Sequence, residues 1–393
     1  MASRAEVTAA LPERPVISAP ATELRPAVRA EIARSVARQP WLGLAGLLGL
    51  VVPIAVVLSF ALDGPARSVV VIGPLVTFSL VPVAVVAFWW EDWPGTALAP
   101  RWLAGWLNTA FIVVFGVGLT FLGQLIAGGV DPRGVFDPNP GPGHLPTFPA
   151  TLPLAGAAFA AALQFTLVNE GWPLRGRLPR IPAGLLAGGL AWGAALLVYY
   201  FVADVRPPPG SGLHTQTGPM SGAALGALLV TIGAWQTWLY VTWRGWPFNR
   251  IRRRGPRLVV ANATVIAGGW ATYTLIHLAV SPGKILAGAA AFTAAALVVS
   301  MLFENAVRPH VTAVMDKWLS VTTVSALAVV LYVVLTAYAR TADLGRLEPN
   351  EFVVHACLNA LAFSVITHVA VGRRWPFARD QTRSPTSPDP SAT

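Results

Sequence analysis

Residues 41–62 read WLGLAGLLGLVVPIAVVLSFAL and contain no charged side chain. A bilayer has a hydrocarbon core about 30 Å thick, and an α-helix needs about 20 apolar residues to cross it. This stretch meets both requirements, so it predicts a transmembrane helix. Because it begins near Trp41 and is long enough to span, it does not resemble a cleaved signal peptide.

Similar apolar stretches follow along the rest of the chain, separated by short segments rich in Gly, Pro and Arg. The predicted spans are 41–62, 68–90, 103–128, 151–169, 182–203, 220–243, 258–280, 285–303, 318–338 and 352–372. Apolar runs of this length are typical of membrane helices and not of strands. The predicted fold class is therefore an all-α polytopic membrane protein with about ten transmembrane helices.

The composition of the whole chain agrees with this prediction. Hydrophobic residues make up 54% of the 393 residues and charged residues only 12%, whereas about 25% of a soluble protein is charged. So few charges do not cover a water-facing surface. The formal net charge of +10 would suggest nucleic acid in a soluble protein. Here the arginines lie in short loops and at the chain ends, so no nucleic-acid partner is predicted.

The arginines also predict how the chain threads the membrane. Cytoplasmic loops carry an excess of Arg and Lys. The arginine-rich segments precede the first span, follow the fourth and sixth spans, and follow the last span. With an even number of spans these segments share one side. The sequence therefore predicts that both termini are cytoplasmic and that the bilayer is the main partner.

Three regions are predicted along the chain. Residues 1–40 form a cytoplasmic segment, in which Leu24, Val28, Ile32 and Val36 suggest a basic amphipathic helix over 22–38. A plain lead-in to the first span is an equally good interpretation of that segment. Residues 41–377 form the transmembrane domain, and residues 378–393 are predicted to be a disordered cytoplasmic tail.

The source of the chain is indicated by its basic residues. Only Lys284 and Lys317 are lysines, while Arg, Ala, Gly and Pro are abundant. This bias is typical of a high-GC bacterial genome, so we predict a multi-pass protein of a bacterial plasma membrane. The single cysteine, Cys357, excludes an intramolecular disulfide.

A short motif recurs at the predicted inner end of each even-numbered span. It consists of a charged residue, a spacer, and Trp-Pro. The copies are Glu91-Asp92-Trp93-Pro94, Glu170-Gly171-Trp172-Pro173, Arg244-Gly245-Trp246-Pro247, a divergent Glu304-Asn305-Ala306, and Arg373-Arg374-Trp375-Pro376. Self-similarity at near-constant spacing indicates repeats. We therefore predict five tandem two-helix hairpins of the same topology.

Two interpretations of the motif remain open. Proline stops a helix and tryptophan prefers the headgroup level, which explains Trp-Pro without any activity. The charged positions are harder to explain in this way. They are three acids and two bases at equivalent depth, and they are candidates for a cytoplasmic gate held closed by ion pairs: Glu91, Glu170, Arg244, Glu304 and Arg373.

Polar side chains within the spans suggest a second candidate site near the outer leaflet. Tyr273 and His277 lie on one face of span seven, and His355 and Asn359 lie one turn apart in span ten. If these spans are neighbours, the two imidazoles are candidate ligands for a proton, a metal or a haem iron. The alternative is that each histidine contacts water or a backbone carbonyl, and no cofactor is predicted.

No motif indicates an enzyme. The P-loop, HExxH, GxSxG and CxxC patterns are missing, and no carboxylate pair lies at membrane depth. Amides occur in several spans (Asn108, Gln124, Gln164, Gln236 and Asn262) and are expected to tie helices together or to line a polar path.

Three functions follow from these features. The first is a permease for a small, unidentified solute. The second is a redox, metal-binding or haem-binding membrane protein that uses His277 and His355. The third is a non-catalytic assembly subunit.

Overall fold

Ten apolar helices account for most of the part of the chain that the structure describes. The computed structural model describes residues 38–98, 100–141, 143–145, 147–207, 211–304 and 312–377. We number the ten helices α1 to α10 in chain order: Trp41–Phe60, Pro65–Trp89, Arg101–Ala127, Leu152–Val168, Arg180–Phe201, Gly222–Thr242, Arg254–His277, Pro282–Leu302, Ala313–Thr341 and Pro349–Val371.

Nine of these described helices are long and apolar enough to cross a membrane, and α4 is shorter, with 17 residues. An all-α, multi-pass membrane fold is thus confirmed. The count of ten spans and the orientation of the termini stay predictions. The predicted amphipathic helix (apart from Arg38), the C-terminal tail and most of the divergent fourth motif copy lie outside the described residues.

Burial separates the helices into two layers. Between 50% and 78% of the most apolar part of α2, α6, α8 and α10 is buried, against 22% to 33% for the odd-numbered helices. Most of α4 is buried as well. The even-numbered helices therefore form an inner layer, and the odd-numbered helices present their apolar faces to lipid.

The inner layer is a closed ring. Helix α2 packs on α4, α4 on α6, α6 on α8, and α8 on α10, which returns to α2. Small residues let these helices approach closely; in α8, for example, Ala287, Ala290, Ala291 and Ala294 are fully buried. One apolar core cluster includes side chains from all five inner helices. Helices α3, α5, α7 and α9 pack outside this ring, each against the inner helix that precedes it, and α1 packs against α2 and α10.

The long connections on the side opposite the motif are folded segments. A five-residue helix, Pro132–Phe136, lies between α3 and α4. Between α5 and α6, the strands β1 (Ala203–Val205), β2 (Gln216–Thr217) and β3 (Met220–Ser221) form a small sheet of order β2-β1-β3. The β1–β2 pairing is antiparallel and the β1–β3 pairing is parallel.

Candidate functional site

The inner helices all end in the same local conformation at the charged motif position. Each of them closes with a π-helical turn. The next-but-one residue then has a left-handed backbone, with φ between 51° and 54° at Glu91, Glu170, Arg244, Glu304 and Arg373. A left-handed residue commonly terminates a helix, although glycine usually fills the position. These five side chains are therefore positioned by a common backbone turn.

A further backbone hydrogen bond fixes this turn in the four copies whose following residue is described. The residue after the charged one donates its N–H to a carbonyl six residues earlier, with N···O distances of 2.8 to 3.0 Å. The pairs are Asp92 to Val86, Gly171 to Phe165, Gly245 to Leu239 and Arg374 to His368. The Trp-Pro peptide bond that follows is cis in each of these copies.

The ends of the first three inner helices each contact an outer helix further along the chain. Trp90, at the end of α2, donates its indole N–H to the carbonyl of Ile181 in α5 at 3.0 Å. Trp243, at the end of α6, donates in the same way to Lys317 in α9 at 3.1 Å. Asn169, at the end of α4, accepts from the amide of Asn262 in α7 at 2.7 Å.

The same relation continues around the ring. Gln39, just before α1, donates to the carbonyl of Leu302 at the end of α8 at 3.1 Å. Trp106 of α3 packs edge-on against Trp375, which follows α10. The five inner ends thus have related contacts with α5, α7, α9, α1 and α3, in that order.

Two of the motif acids pair with arginines of these outer helices. Glu170 binds Arg257 at 2.7 Å, and Arg254 lies 3.9 Å away. Glu91 lies 3.8 Å from Arg180, the first residue of α5. The Glu170 pair is mostly buried, whereas both members of the Glu91 pair are exposed, so the Glu170 pair is the better shielded from water.

Two further pairs link neighbouring inner helices at their ends. Arg373 binds Asp92 at 2.8 Å and so joins the last inner helix to the first. Arg374 binds Glu304 at 2.6 Å and also donates to the carbonyls of Met301 and Leu302. Burial lowers the pKa of Arg374, and the adjacent Glu304 carboxylate opposes that shift.

A similar carbonyl cap occurs at the end of α2. The Arg175 guanidinium donates to the carbonyl of Phe88 and lies 5.3 Å from the centroid of the Trp89 ring. Phe88 and Met301 each lie three residues before a charged motif position. Equivalent carbonyls therefore accept hydrogen bonds from Arg175 and Arg374, although these arginines do not occupy equivalent positions in the sequence. Burial lowers the pKa of Arg175, and Glu91 acts in the opposite direction.

A chain of amides continues inward from Glu170. Asn262 donates to Asn169 and accepts from Gln164 at 2.7 Å, and Gln164 in turn accepts from Gln236 at 2.6 Å. These residues belong to α4, α6 and α7. Gln236 is fully buried, and its carbonyl oxygen has no hydrogen-bond partner in the described part of the chain. The amides therefore tie three helices together, and the chain ends at an unsatisfied acceptor inside the apolar core.

The structure places the two predicted outer histidines among different neighbours. His277 is exposed, stacks on Tyr273 with 5.3 Å between ring centroids, and lies 3.2 Å from the carbonyl of Val280. His355 is buried, and its Nε2 contacts the carbonyl of Leu58 at 3.1 Å.

Asn359 lies beside His355, at 3.5 Å from its Nδ1, and accepts from Thr77 of α2 at 3.0 Å. No contact between His277 and His355 occurs among the described residues, and α8 packs against both α7 and α10. Over those same residues there is no group of three or more His, Cys, Asp or Glu suited to a metal. The predicted outer-leaflet residues thus form two separate polar groups, Tyr273 with His277 and His355 with Asn359.

A further polar cluster folds the outer connection between α3 and α4. Gln124 of α3 is fully buried; it accepts from the N–H of Asp131 and donates to the carbonyl of Leu145. The Asp131 carboxylate accepts from the N–H of Leu145 at 2.7 Å and contacts His144 at 2.9 Å. Burial raises the pKa of Asp131, but hydrogen bonds from Leu145, Gly134 and His144 lower it, and the net pKa lies below its ordinary value.

No protein-family model matches this chain, and neither a curated protein nor a solved structure shows significant similarity to it. Function is therefore argued from the geometry of the site.

The sequence alone does not identify which residues form ion pairs with the motif charges. Asp92, Arg180, Arg257 and Arg374 are the partners of Arg373, Glu91, Glu170 and Glu304, respectively. Arginines in the first turn of outer helices were interpreted only as orientation signals. In each pair two spans separate the acid from its arginine: Glu91 follows α2 and Arg180 begins α5, and Glu170 follows α4 and Arg257 lies in the first turn of α7. This spacing is the signal in the sequence that relates the two members of each pair.

Proposed function

We propose that this protein is a multi-pass permease for a small, hydrogen-bonding solute, built from five tandem two-helix hairpins with both termini in the cytoplasm. The ring of inner helices supports the repeat, as does the shared conformation of the five inner ends. A ring of similar units has a central axis, and in this proposal a solute crosses near that axis when the inner helices move apart. The hairpin repeat, the orientation and the transport activity are all parts of this proposal.

One observation supports transport above the others. A hydrogen-bonded line of amides runs from Asn169, the residue before Glu170, through Asn262 and Gln164 to Gln236. Polar groups are costly in the apolar interior of a membrane protein and are a functional hypothesis by default. The carbonyl oxygen of Gln236, which is buried without a partner, is an acceptor for a solute that carries a hydrogen-bond donor.

The inner charges supply the gate in this proposal. The described pairs join different helices, so their separation would let the inner ends move apart. The exposed Glu91–Arg180 pair, at 3.8 Å, contributes about 0–1 kcal/mol, as surface ion pairs do. Such a pair opens at little cost, whereas Arg373–Asp92, in which Asp92 is 1% exposed, holds one seam closed.

The test is solute flux into proteoliposomes, measured by stopped-flow light scattering with a panel of small neutral and ionic solutes. We expect Gln236→Leu to lower the flux of the transported solute by at least about tenfold, equivalent to ~1.4 kcal/mol of barrier. Thr264→Val is the matched control, because its exposed hydroxyl bonds only to the carbonyl of Val260 in its own helix. Loss of flux in both variants, or in neither, would contradict the proposed role of the amide line.

The gate has its own experiment. Neutralising Glu170 is expected to raise the basal leak, because Arg257 then loses the carboxylate that holds it. If a variant with all five motif charges neutralised retained the flux and the leak of the wild type, the proposed gate would be ruled out. Protein that shows no flux for any solute and co-purifies with a stoichiometric partner would favour an assembly subunit instead.

Orientation is tested with tags on the two termini. Both tags are expected to be accessible only from the cytoplasmic side of the membrane. Tags that report from opposite sides would require an odd number of spans.

A further inference from the structure

The third inner end differs from the others in the cations around its motif tryptophan. The Arg250 guanidinium lies 5.6 Å from the centroid of the Trp246 ring, and the Lys317 ammonium lies 5.3 Å from it. No other motif tryptophan has two cations over its ring among the described residues. Cations over an indole gain electrostatic attraction from the ring. One aromatic ring thus contacts two positive groups from different parts of the chain.

The surrounding residues make this a built surface of the bundle. Trp243 packs edge-on against both Trp246 and Trp318, with centroid distances of 5.0 and 6.2 Å. The Trp243 indole also donates to the carbonyl of Lys317, which fixes the start of α9 against the end of α6. Trp318 is 60% exposed. The surface therefore combines apolar rings that suit acyl chains with cations that suit an anion.

The charge near this surface is strongly positive. Arg252 and Arg253 are exposed and follow Arg250 after one intervening residue, Ile251. Among the described acids of this part of the bundle, Asp316 is buried and Glu170 pairs with Arg257. Tryptophan prefers the headgroup level of a bilayer, and basic pockets between membrane helices bind anionic headgroups.

We propose that Arg250 and Lys317 bind the phosphate of an anionic phospholipid, whose acyl chains lie against Trp246 and Trp318. This site is independent of the permease proposal, since it uses none of the amides. Phosphate suits it because guanidinium and ammonium groups both form charge-assisted hydrogen bonds to phosphate oxygens. We name this group of four residues the lipid site.

The experiment uses the full chain in phosphatidylcholine vesicles that contain increasing fractions of brominated phosphatidylglycerol, with tryptophan fluorescence as the readout. Brominated phosphatidylcholine is the reference lipid. We expect phosphatidylglycerol to quench at a mole fraction about tenfold lower than the reference lipid does, equivalent to ~1.4 kcal/mol. The double variant Arg250→Gln/Lys317→Gln is expected to abolish that preference while keeping every tryptophan.

Arg177→Gln is the matched control, because Arg177 is an exposed arginine of another connection on the same face of the bundle. It should retain the full preference. Equal quenching by both lipids, a preference that survives the double variant, or an equal loss in Arg177→Gln would each overturn the lipid site.

Two further arms keep the test decisive. If the double variant does not reconstitute, the single variant Arg250→Gln changes only an exposed side chain and must lower the preference by itself. Inorganic phosphate in solution, compared with chloride at equal ionic strength, should leave the preference unchanged. Its loss in phosphate alone would show a site for free phosphate and overturn the assignment to a lipid.

Discussion

Gly116 shows how closely α3 approaches α2. A Cβ added to Gly116 would overlap the Ser79 hydroxyl and lie 2.9 Å from the Ser79 Cβ. The Ser79 hydroxyl is held by a hydrogen bond to the carbonyl of Leu75 at 2.7 Å, so it does not move away freely. We expect Gly116→Ala to lower the free energy of unfolding by about 1–3 kcal/mol through overpacking, measured by denaturation in mixed micelles.

The same helix supplies the control for this prediction. Gly118 has nothing within 4 Å of the position of an added Cβ, so Gly118→Ala should be neutral or stabilising by up to about 1 kcal/mol, as expected for Gly→Ala within a helix. Adding Ser79→Ala to Gly116→Ala should restore part of the loss, because the hydroxyl is the nearest group. Equal effects at the two glycines would mean that the α2–α3 contact is not tight.

At the scale of single elements, the left-handed residue that ends each inner helix is the most informative feature. Glu170 has φ of 53° and carries the ion pair to Arg257. Both Glu170→Ala and Glu170→Gly remove the pair, but only alanine keeps the steric cost of a left-handed backbone. We expect the glycine variant to have the higher free energy of unfolding, by about 1–2 kcal/mol.

The reverse order should hold inside a regular helix. At Thr264, in the middle of α7, the alanine variant should be the more stable by about 1 kcal/mol, since glycine is a poor helix former. Thermal unfolding of the four variants in one detergent gives both differences. If alanine were the more stable at both positions, the backbone at Glu170 would not be the left-handed turn described for it.

The elements themselves were largely predictable from the sequence. All ten described helices coincide with predicted apolar stretches, because a helix in lipid must satisfy its own backbone and expose apolar side chains. The boundaries shifted by up to several residues: α9 begins at Ala313 and ends at Thr341, beyond the predicted 318–338. Polar residues at its ends, such as Asp316 and Arg340, hid these additional turns.

The π-helical turns and the outer loop structure were not predictable in the same way. A π turn differs from an α turn only in which carbonyl accepts each N–H, and no residue type marks it in this chain. The loop around Asp131 is rich in proline and glycine, and its sequence does not show how it folds. It is folded because Gln124, near the end of α3, binds both Asp131 and Leu145.

At the scale of the whole molecule, the partners of the motif charges depend on the order of helices around the ring. The sequence indicates that Glu91, Glu170, Arg244, Glu304 and Arg373 lie at one depth, but it contains no information about which ends meet. The packing of α5 against the end of α2 brings Arg180 to Glu91. The packing of α10 against α2 likewise brings Arg373 to Asp92.

This ring closure leads to a prediction that compares two ion pairs of different burial. Arg373 binds Asp92 at 2.8 Å, and the Asp92 side chain is 1% exposed, while Arg180 lies 3.8 Å from Glu91 and both are about 40% exposed. Arg373→Ala leaves a buried carboxylate with one cation fewer, so the free energy of unfolding should fall by about 3–5 kcal/mol. Arg180→Ala should lower it by only about 0–1 kcal/mol.

Burial of the remaining charge, and not the lost attraction alone, accounts for that difference. Adding Asp92→Asn to Arg373→Ala should therefore recover part of the stability, because the neutral amide is less costly to bury. The pair also closes the ring between the last and the first inner helix, so its loss should loosen that seam first. Hydrogen exchange should then rise at the ends of α2 and α10 before it rises in α6, and a uniform rise across the three helices would show that Arg373 and Asp92 do not hold the seam.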